Sequence, residues 1–264
     1  MDYNTIIYHK KDQIAHITLN RHKVANAINT EMAVELREAC HRVNQEEDIR
    51  VVIISGAGKA FCAGEDLSQF SSVVLSESPS SIELKEFTQR YNVATIVAGI
   101  ECPVIAAING DALGAGLALA LSCDLRIASQ KSFLGVPDIE RGYFLASGIT
   151  QWLPRIVGRS KALEMLLTAE PIEAQEAHRI GLVHQVVEHG EVILQAEKLA
   201  REIASRAPIA LRYAKEAIHK GLDLTLEQGL RLECDLYMLL QTTQDRIEGV
   251  KAFLEKRQPQ FKGE

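Results

Sequence analysis

The chain predicts an α/β fold built on a buried parallel sheet and continued by a region made almost entirely of helix. Three observations carry this. VVIIS at residues 51–55 and PVIAAI at 103–108 are short apolar runs without polar alternation, the pattern of strands covered on both faces. Helical stretches at 29–46, 81–99 and GAGLALALS alternate with these strands and with DLRIAS at 124–129, which implies right-handed crossovers. After Ser147 helical segments follow one another with a single interruption.

The elements read in order as follows. Residues 5–8 and 13–19 are two strands around a Lys-Lys-Asp turn. In the stretch Asn29 to Glu46, Met32, Leu36, Ala39 and Val43 recur at helical spacing, and Asn29 or Thr30 can cap the helix. Beyond 147 the spacing predicts helices at 147–157, 160–168, 173–180, 191–205, 208–220, 225–240 and 243–256, with LVHQVV at 182–187 as the one strand. A boundary near 190 divides an α/β core, 1–190, from a C-terminal helical region, 191–264. There Leu226, Leu230, Cys234 and Tyr237 form one stripe, which needs the core or another subunit to cover it. The biased stretch SQFSSVVLSESPSS at 68–81 reads as a loop that could wall a ligand pocket.

Composition removes several function classes. With 264 residues, 47% apolar and 24% charged, the chain can bury a core without disulfide or metal staples. A formal charge of −6 and the absence of a basic run with interleaved aromatics argue against nucleic acid as a partner. Cys40, Cys62, Cys102, Cys123 and Cys234 are odd in number and form no CxxC pair, which fits reduced thiols and a cytoplasmic setting. No leader is visible at the N-terminus, and the longest apolar run, Ala112 to Leu121, is too short to span a bilayer, so no membrane association is expected.

The chemistry concentrates in two glycine-containing loops. GAGKAFCAGEDL, 56–67, leaves the strand VVIIS, and GDALGAG, 110–116, opens the helix that follows PVIAAI. A glycine turn at a helix start bares backbone N–H groups in a positive field. A dinucleotide site needs GxGxxG directly after the first strand, whereas the order here is GxxxGxG after a later one. The chain also lacks GxxxxGK[ST], GxSxG and HExxH. Cys62 has no identifiable cationic neighbour to activate it and reads as a small buried thiol. Two loops, each at the carboxyl end of a buried strand, could lie side by side at a sheet crevice and each offer one N–H to a single oxygen atom, forming an oxyanion hole; the alternative is that the glycines merely permit tight turns.

AFCAGEDL, PVIAAINGDALGAGLALALSCDLRIAS, GVPDI, TQWLPRIVG, AEPIEAQEAHRIGLVHQVV and AFLEKRQPQF together resemble the enoyl-CoA hydratase/isomerase family, the crotonase superfamily, over nearly the whole chain. The resemblance implies a crotonase fold of repeated ββα turns with a C-terminal helical extension, assembled as a homotrimer or a hexamer of paired trimers. It implies an acyl-CoA thioester as substrate, with coenzyme A part of that substrate and no further cofactor or metal. The thioester oxygen becomes an enolate between the backbone N–H groups of Glu65 and Ala115, with Ala63, Gly64 and Gly114 beside the thioester and the glycines clearing room for it. Lys23 and the turn at Ala25 lie by the nucleotide, and Phe253 and Lys256 reach the adenine and its phosphate, often across a subunit interface.

The carboxylates depart from the family's hydratase pattern. That pattern has a glutamate three residues after the second donor and another in a PE pair; here these positions are Ala118 and Asp138. Alanine cannot hold or deprotonate water, so two-carboxylate hydration loses a partner. A single carboxylate can still take a proton at one carbon and return it at another, so double-bond isomerisation stands at least level with hydration. Decarboxylation, C–C bond chemistry on the same enolate, or a CoA-binding member without catalysis are the alternatives. Glu140 and Tyr143 follow closely and could supply a second acid or base if the local turn aims Glu140 to the same side as Asp138.

Overall fold

The computed structural model describes residues 3–69, 93–142, 144 and 147–264. Its main sheet has six strands in the order β1-β2-β3-β4-β6-β9, where β1 is Ile6–Lys11, β2 Ile14–Leu19, β3 Val51–Gly56, β4 Val104–Ile108, β6 Leu125–Ser129 and β9 Gln185–Val187. β1 and β2 form a hairpin, and every later neighbour is parallel. Asp12 makes the hairpin turn with φ of 55°, a left-handed conformation that aspartate tolerates. All five residues of β4 and the first five of β3 are buried, as their unbroken apolar runs require.

Alternation along the strands sends residues to two faces. Val52, Ile54, Val104, Ala106 and Ile108 join the larger core beneath α1 (Thr30–Gln45), α2 (Val93–Ala98) and α3 (Ala115–Leu121). Asn29 caps α1 by accepting from the Met32 amide at 2.9 Å. The opposite face, with Val51, Ile53, Ile105, Ala107 and Ile127, is covered by Val192, Ala196, Ala200 and Ala204 of a helix at Val192–Ala204. That helix begins the C-terminal region of the sequence, yet it forms the sheet's third layer. Its alanines, four residues apart, let it sit close on the strands.

A second sheet is much smaller and carries the candidate site. β5 (Ala112–Leu113) pairs in parallel with β7 (Phe133–Gly135), which pairs antiparallel with β8 (Ile172–Glu173). Between these and the C-terminal region run α4 (Ile149–Val157), α5 (Arg159–Thr168) and α6 (Ala174–Arg179); the Val192–Ala204 helix is α7, followed by α8 (Pro208–Gly221), α9 (Leu226–Leu240) and α10 (Gln244–Leu254). The expected loop at 68–81 lies, from residue 70 onward, outside the described residues, as does most of the helix expected at 81–99.

A half-buried carboxylate helps tie α8 to the main sheet. Asp124, just before β6, accepts from the Val104 amide at 2.7 Å, Lys215 Nζ at 2.8 Å and His219 Nε2 at 3.0 Å. Burial raises its pKa, but hydrogen bonds from His219, Lys215 and Val104 together hold the carboxyl below its ordinary value. The stabilisation is therefore complete at neutral pH and is lost as pH falls through that lowered value. We expect Asp124→Ala to lose about 3 kcal/mol at pH 7, because the shielded Lys215 ammonium loses its charge partner and keeps only Cys102 O as an acceptor. Urea melts in a series from pH 7 to well below the ordinary aspartate range test this; the deficit should persist at pH 4 and shrink only at the acid end of the series.

Candidate active site

A ladder of short parallel pairings lies beside the main sheet and collects the predicted residues. Cys62 bridges Ala112 of β5, and Glu65 bridges Ile28 on the other side. The order is thus residues 25–28, residues 62–66, β5 and β7, held by the bonds Ala63 N to Ala25 O (2.9 Å), Ile28 N to Gly64 O (2.7 Å), Asp66 N to Ile28 O (3.0 Å), Leu113 N to Cys62 O (3.0 Å) and Gly114 N to Gly135 O (2.9 Å). Four segments far apart in sequence meet here through backbone pairing.

Two peptide planes in this ladder have their carbonyls engaged on one side. Gly64 O accepts from Ile28, so the trans Gly64–Glu65 peptide turns the Glu65 N–H to the opposite side. Gly114 O accepts from the Ala118 amide at 3.1 Å and starts α3, so the Ala115 N–H points out of the helix N-terminus, with no carbonyl a turn behind to accept it. The planes are close: a methyl added to Gly64 would stand 3.5 Å from Ala115 N.

Asp138 arrives by the same route. β7 ends at Gly135 opposite Leu113 of β5, and the 3₁₀ turn Pro137–Arg141 begins two residues later. This seats the Asp138 carboxyl on the α-carbon of Gly114, where an added Cβ would meet Oδ2 at 2.7 Å and Oδ1 at 3.0 Å. Oδ2 is buried and has no hydrogen-bond partner among the described residues. Burial pushes the Asp138 carboxyl above its ordinary value, opposed by a backbone hydrogen bond and by Arg141. A carboxyl oxygen with no partner among the described residues suits a group that exchanges a proton with something bound there.

The geometry corrects one expectation. The 3₁₀ turn has three residues per turn, so Arg141 comes back over Asp138 while Glu140 falls a third of a turn away and is exposed. Glu140 therefore does not share the side of Asp138; Tyr143 lies outside the described residues. Two glycines of GDALGAG also make room for contacts within the protein. A Cβ on Gly116 would lie 2.2 Å from Cys62 O, so its bareness lets α3 back directly onto the neighbouring loop. Gly114, at φ 51° and ψ −122°, makes room for the Asp138 carboxyl.

The remaining predicted residues sort themselves. Ala118 is fully buried on α3. Cys62 is fully buried, donates to Asn26 O at 3.2 Å, and burial pushes its thiol up to about 12, which makes it a packing residue. Lys23 is exposed in a 3₁₀ turn, His22–Val24, and Ala25 follows in the left-handed region at φ 50°. Phe253 is 82% exposed near the end of α10, and Lys256 follows beyond the helix at φ 54°. Neither Lys23 nor Lys256 enters an ion pair among the described residues.

Sequence reasoning passed over Arg21, Asn26 and Asp66. Asn26, buried at φ 57°, donates to Ala57 O and Ala60 O (both 2.9 Å) and accepts from the Arg21 amide, while Arg21 and Asp66 form an ion pair at 2.7 Å. The one available signal was opposite charge in the two turns, and a separation of 45 residues gives it no local spacing.

The sequence profile of the enoyl-CoA hydratase/isomerase family matches residues 9–264. The chain belongs to the enoyl-CoA hydratase/isomerase family. It is 38% identical to the crotonyl-CoA hydratase of Syntrophomonas wolfei over 99% of both chains, and 39% identical to the (E)-benzylidenesuccinyl-CoA hydratase of Thauera aromatica over 96% of both. The crystal structure of an enoyl-CoA hydratase from Bacillus anthracis superposes with a TM-score of 0.93 at 39% identity, covering 99% of this chain and all of that one. The fold is thus the crotonase fold, and the protein is an acyl-CoA enzyme of the enoyl-CoA hydratase/isomerase type. Among the described residues no helix is long and apolar enough to cross a membrane, and no cluster of three metal-ligating side chains occurs.

Gly114→Ala tests the seating of Asp138. The new methyl overlaps Oδ2 and the backbone is left-handed, so we expect turnover of an enoyl-CoA to fall by about 100-fold, with a stability loss of about 1–3 kcal/mol in thermal melts.

Proposed function

We propose that this enzyme forms a thioester enolate and moves a double bond with Asp138 as its one proton carrier. The observation that carries this is an Asp138 whose Oδ2 has no partner among the described residues, with alanine at 118 where a second carboxylate is expected. With a 3-enoyl-CoA bound, the Asp138 carboxylate takes a proton from C2. The electron pair moves into the thioester carbonyl, and the resulting dienolate oxygen lies between the Glu65 and Ala115 amides. Each such donor contributes about 2.7–4 kcal/mol to the transition state. The Asp138 carboxylic acid then returns the proton to C4, leaving the double bond between C2 and C3. No water is consumed.

Hydration is the second reading, supported by the relatives from Syntrophomonas wolfei and Thauera aromatica, both named as hydratases. Incubation with 2-enoyl-CoA and 3-enoyl-CoA in deuterated water separates the two. We expect double-bond migration to outpace water addition, with Asp138→Asn abolishing both label exchange and migration. Because the base must be ionised, activity should rise with pH through a value above that of an ordinary aspartate, and rapid addition of water across C2=C3 would overturn the single-carboxylate reading.

Coenzyme A is proposed to lie along the 22–25 turn, with Lys23 and Lys256 meeting its phosphates and Phe253 its adenine. An acidic protein needs such local cations for a phosphorylated ligand. Assembly as a trimer or paired trimers fits the apolar stripe of α9, where Leu226, Leu230 and Tyr237 are 80%, 57% and 60% exposed in the single chain. Calorimetric titration with acetyl-CoA is expected to show about tenfold weaker binding for Lys23→Ala and for Lys256→Ala, the loss of one charge-assisted contact each; unchanged affinity in both would remove the assignment.

A further inference from the structure

We propose that Arg21 and Asp66 act as a positioning pair that sets the Gly64–Glu65 peptide from the same turn that presents Lys23 and Ala25. The inference rests on the enolate reading of the site given above. One guanidinium spans both sides of the first pairing in the ladder: Nη1 donates to Ala27 O at 2.5 Å and Nη2 to Asp66 Oδ2 at 2.7 Å. The planar fork holds the two segments at a fixed separation, which an ammonium could not do. Asp66 is held again by Ser68, whose hydroxyl and amide both donate to Oδ1. Both side chains are largely shielded, at 18% and 9% exposure, so screening by salt is weak.

The location gives the pair its role. Gly64 O and Asp66 N bond to Ile28 on either side of Glu65, so the direction of the Glu65 N–H follows the separation of residues 27–28 from 64–66. Arg21 and Asp66 close that separation from the side chains. Arg21 also lies two residues before Lys23 and is tied through its amide to Asn26. A ligand gripping the turn would therefore stiffen the donor loop. Arg21 has a second effect, because it neutralises a carboxylate one residue from the amide that is to receive a negative oxygen.

Asp66→Asn, Arg21→Met, the double variant and Arg21→Lys test the pair. Acetoacetyl-CoA serves as a probe of the oxyanion site independent of the reaction catalysed, since its enolate absorbs in the near ultraviolet and its ketone does not. Wild type is expected to raise the enolate band. Asp66→Asn should reduce kcat by about 100-fold and abolish the band, with KM and acetyl-CoA affinity within about twofold of wild type. Arg21→Met should be worse, because it leaves the Asp66 charge unpaired, and the double variant should recover to the level of Asp66→Asn. Arg21→Lys should regain part of the band. Wild-type kcat and a full band in Asp66→Asn and in Arg21→Met, with only the melting temperature lowered, would make the pair a staple and overturn the proposal. A wild-type protein that binds acetoacetyl-CoA without raising the band overturns the enolate reading, and the pair's role with it.

Discussion

The site depends on a constraint of peptide geometry: a trans peptide whose carbonyl is held on one side must present its N–H on the other. The carbonyls of Gly64 and Gly114 are both engaged, by Ile28 and by the first turn of α3. The directions of the Glu65 and Ala115 amides are thereby fixed by backbone bonding. Each backbone hydrogen bond in the ladder contributes only about 1 kcal/mol to stability, but together they fix directions. A direction set by backbone is also indifferent to the residue's own side chain, so a glutamate can occupy position 65.

The same ladder places the acid. β5 and β7 run parallel in register, so the residues just past their ends, Gly114 and Asp138, are brought together by strand pairing. The absence of a side chain at Gly114 and the burial of the Asp138 carboxyl are two aspects of one contact. Desolvation there favours the protonated form of the carboxyl. The cost is a buried oxygen with no partner among the described residues, a feature that stable cores avoid.

Much of this was legible in the sequence for local reasons. The buried strands appear as apolar runs at 51–55 and 103–108 because both faces of β3 and β4 are covered, and α1 shows its stripe and its Asn29 cap directly. The two glycine loops, the Asp138 position and the missing carboxylate at 118 were read from motif order. The β1–β2 hairpin and the helices after 147 lie within a few residues of their expected bounds. α7 was grouped with the C-terminal region because helical periodicity reports an apolar face and not what that face meets; its alanines meet the sheet.

The sequence by itself determined the family, the strand and helix order, and which residue types stand in the two glycine loops and at positions 118 and 138. These are encoded in contiguous patterns, each a consequence of side-chain periodicity or turn chemistry within about a dozen residues. Only the tertiary structure decided what each glycine clears room for, that Glu140 turns away from Asp138, and that Arg21 reaches Asp66. Those facts depend on the register between strands distant in the chain and on the pitch of a five-residue turn. Neither register nor pitch leaves a local trace in composition, because the bonds that set them are made by backbone atoms common to every residue.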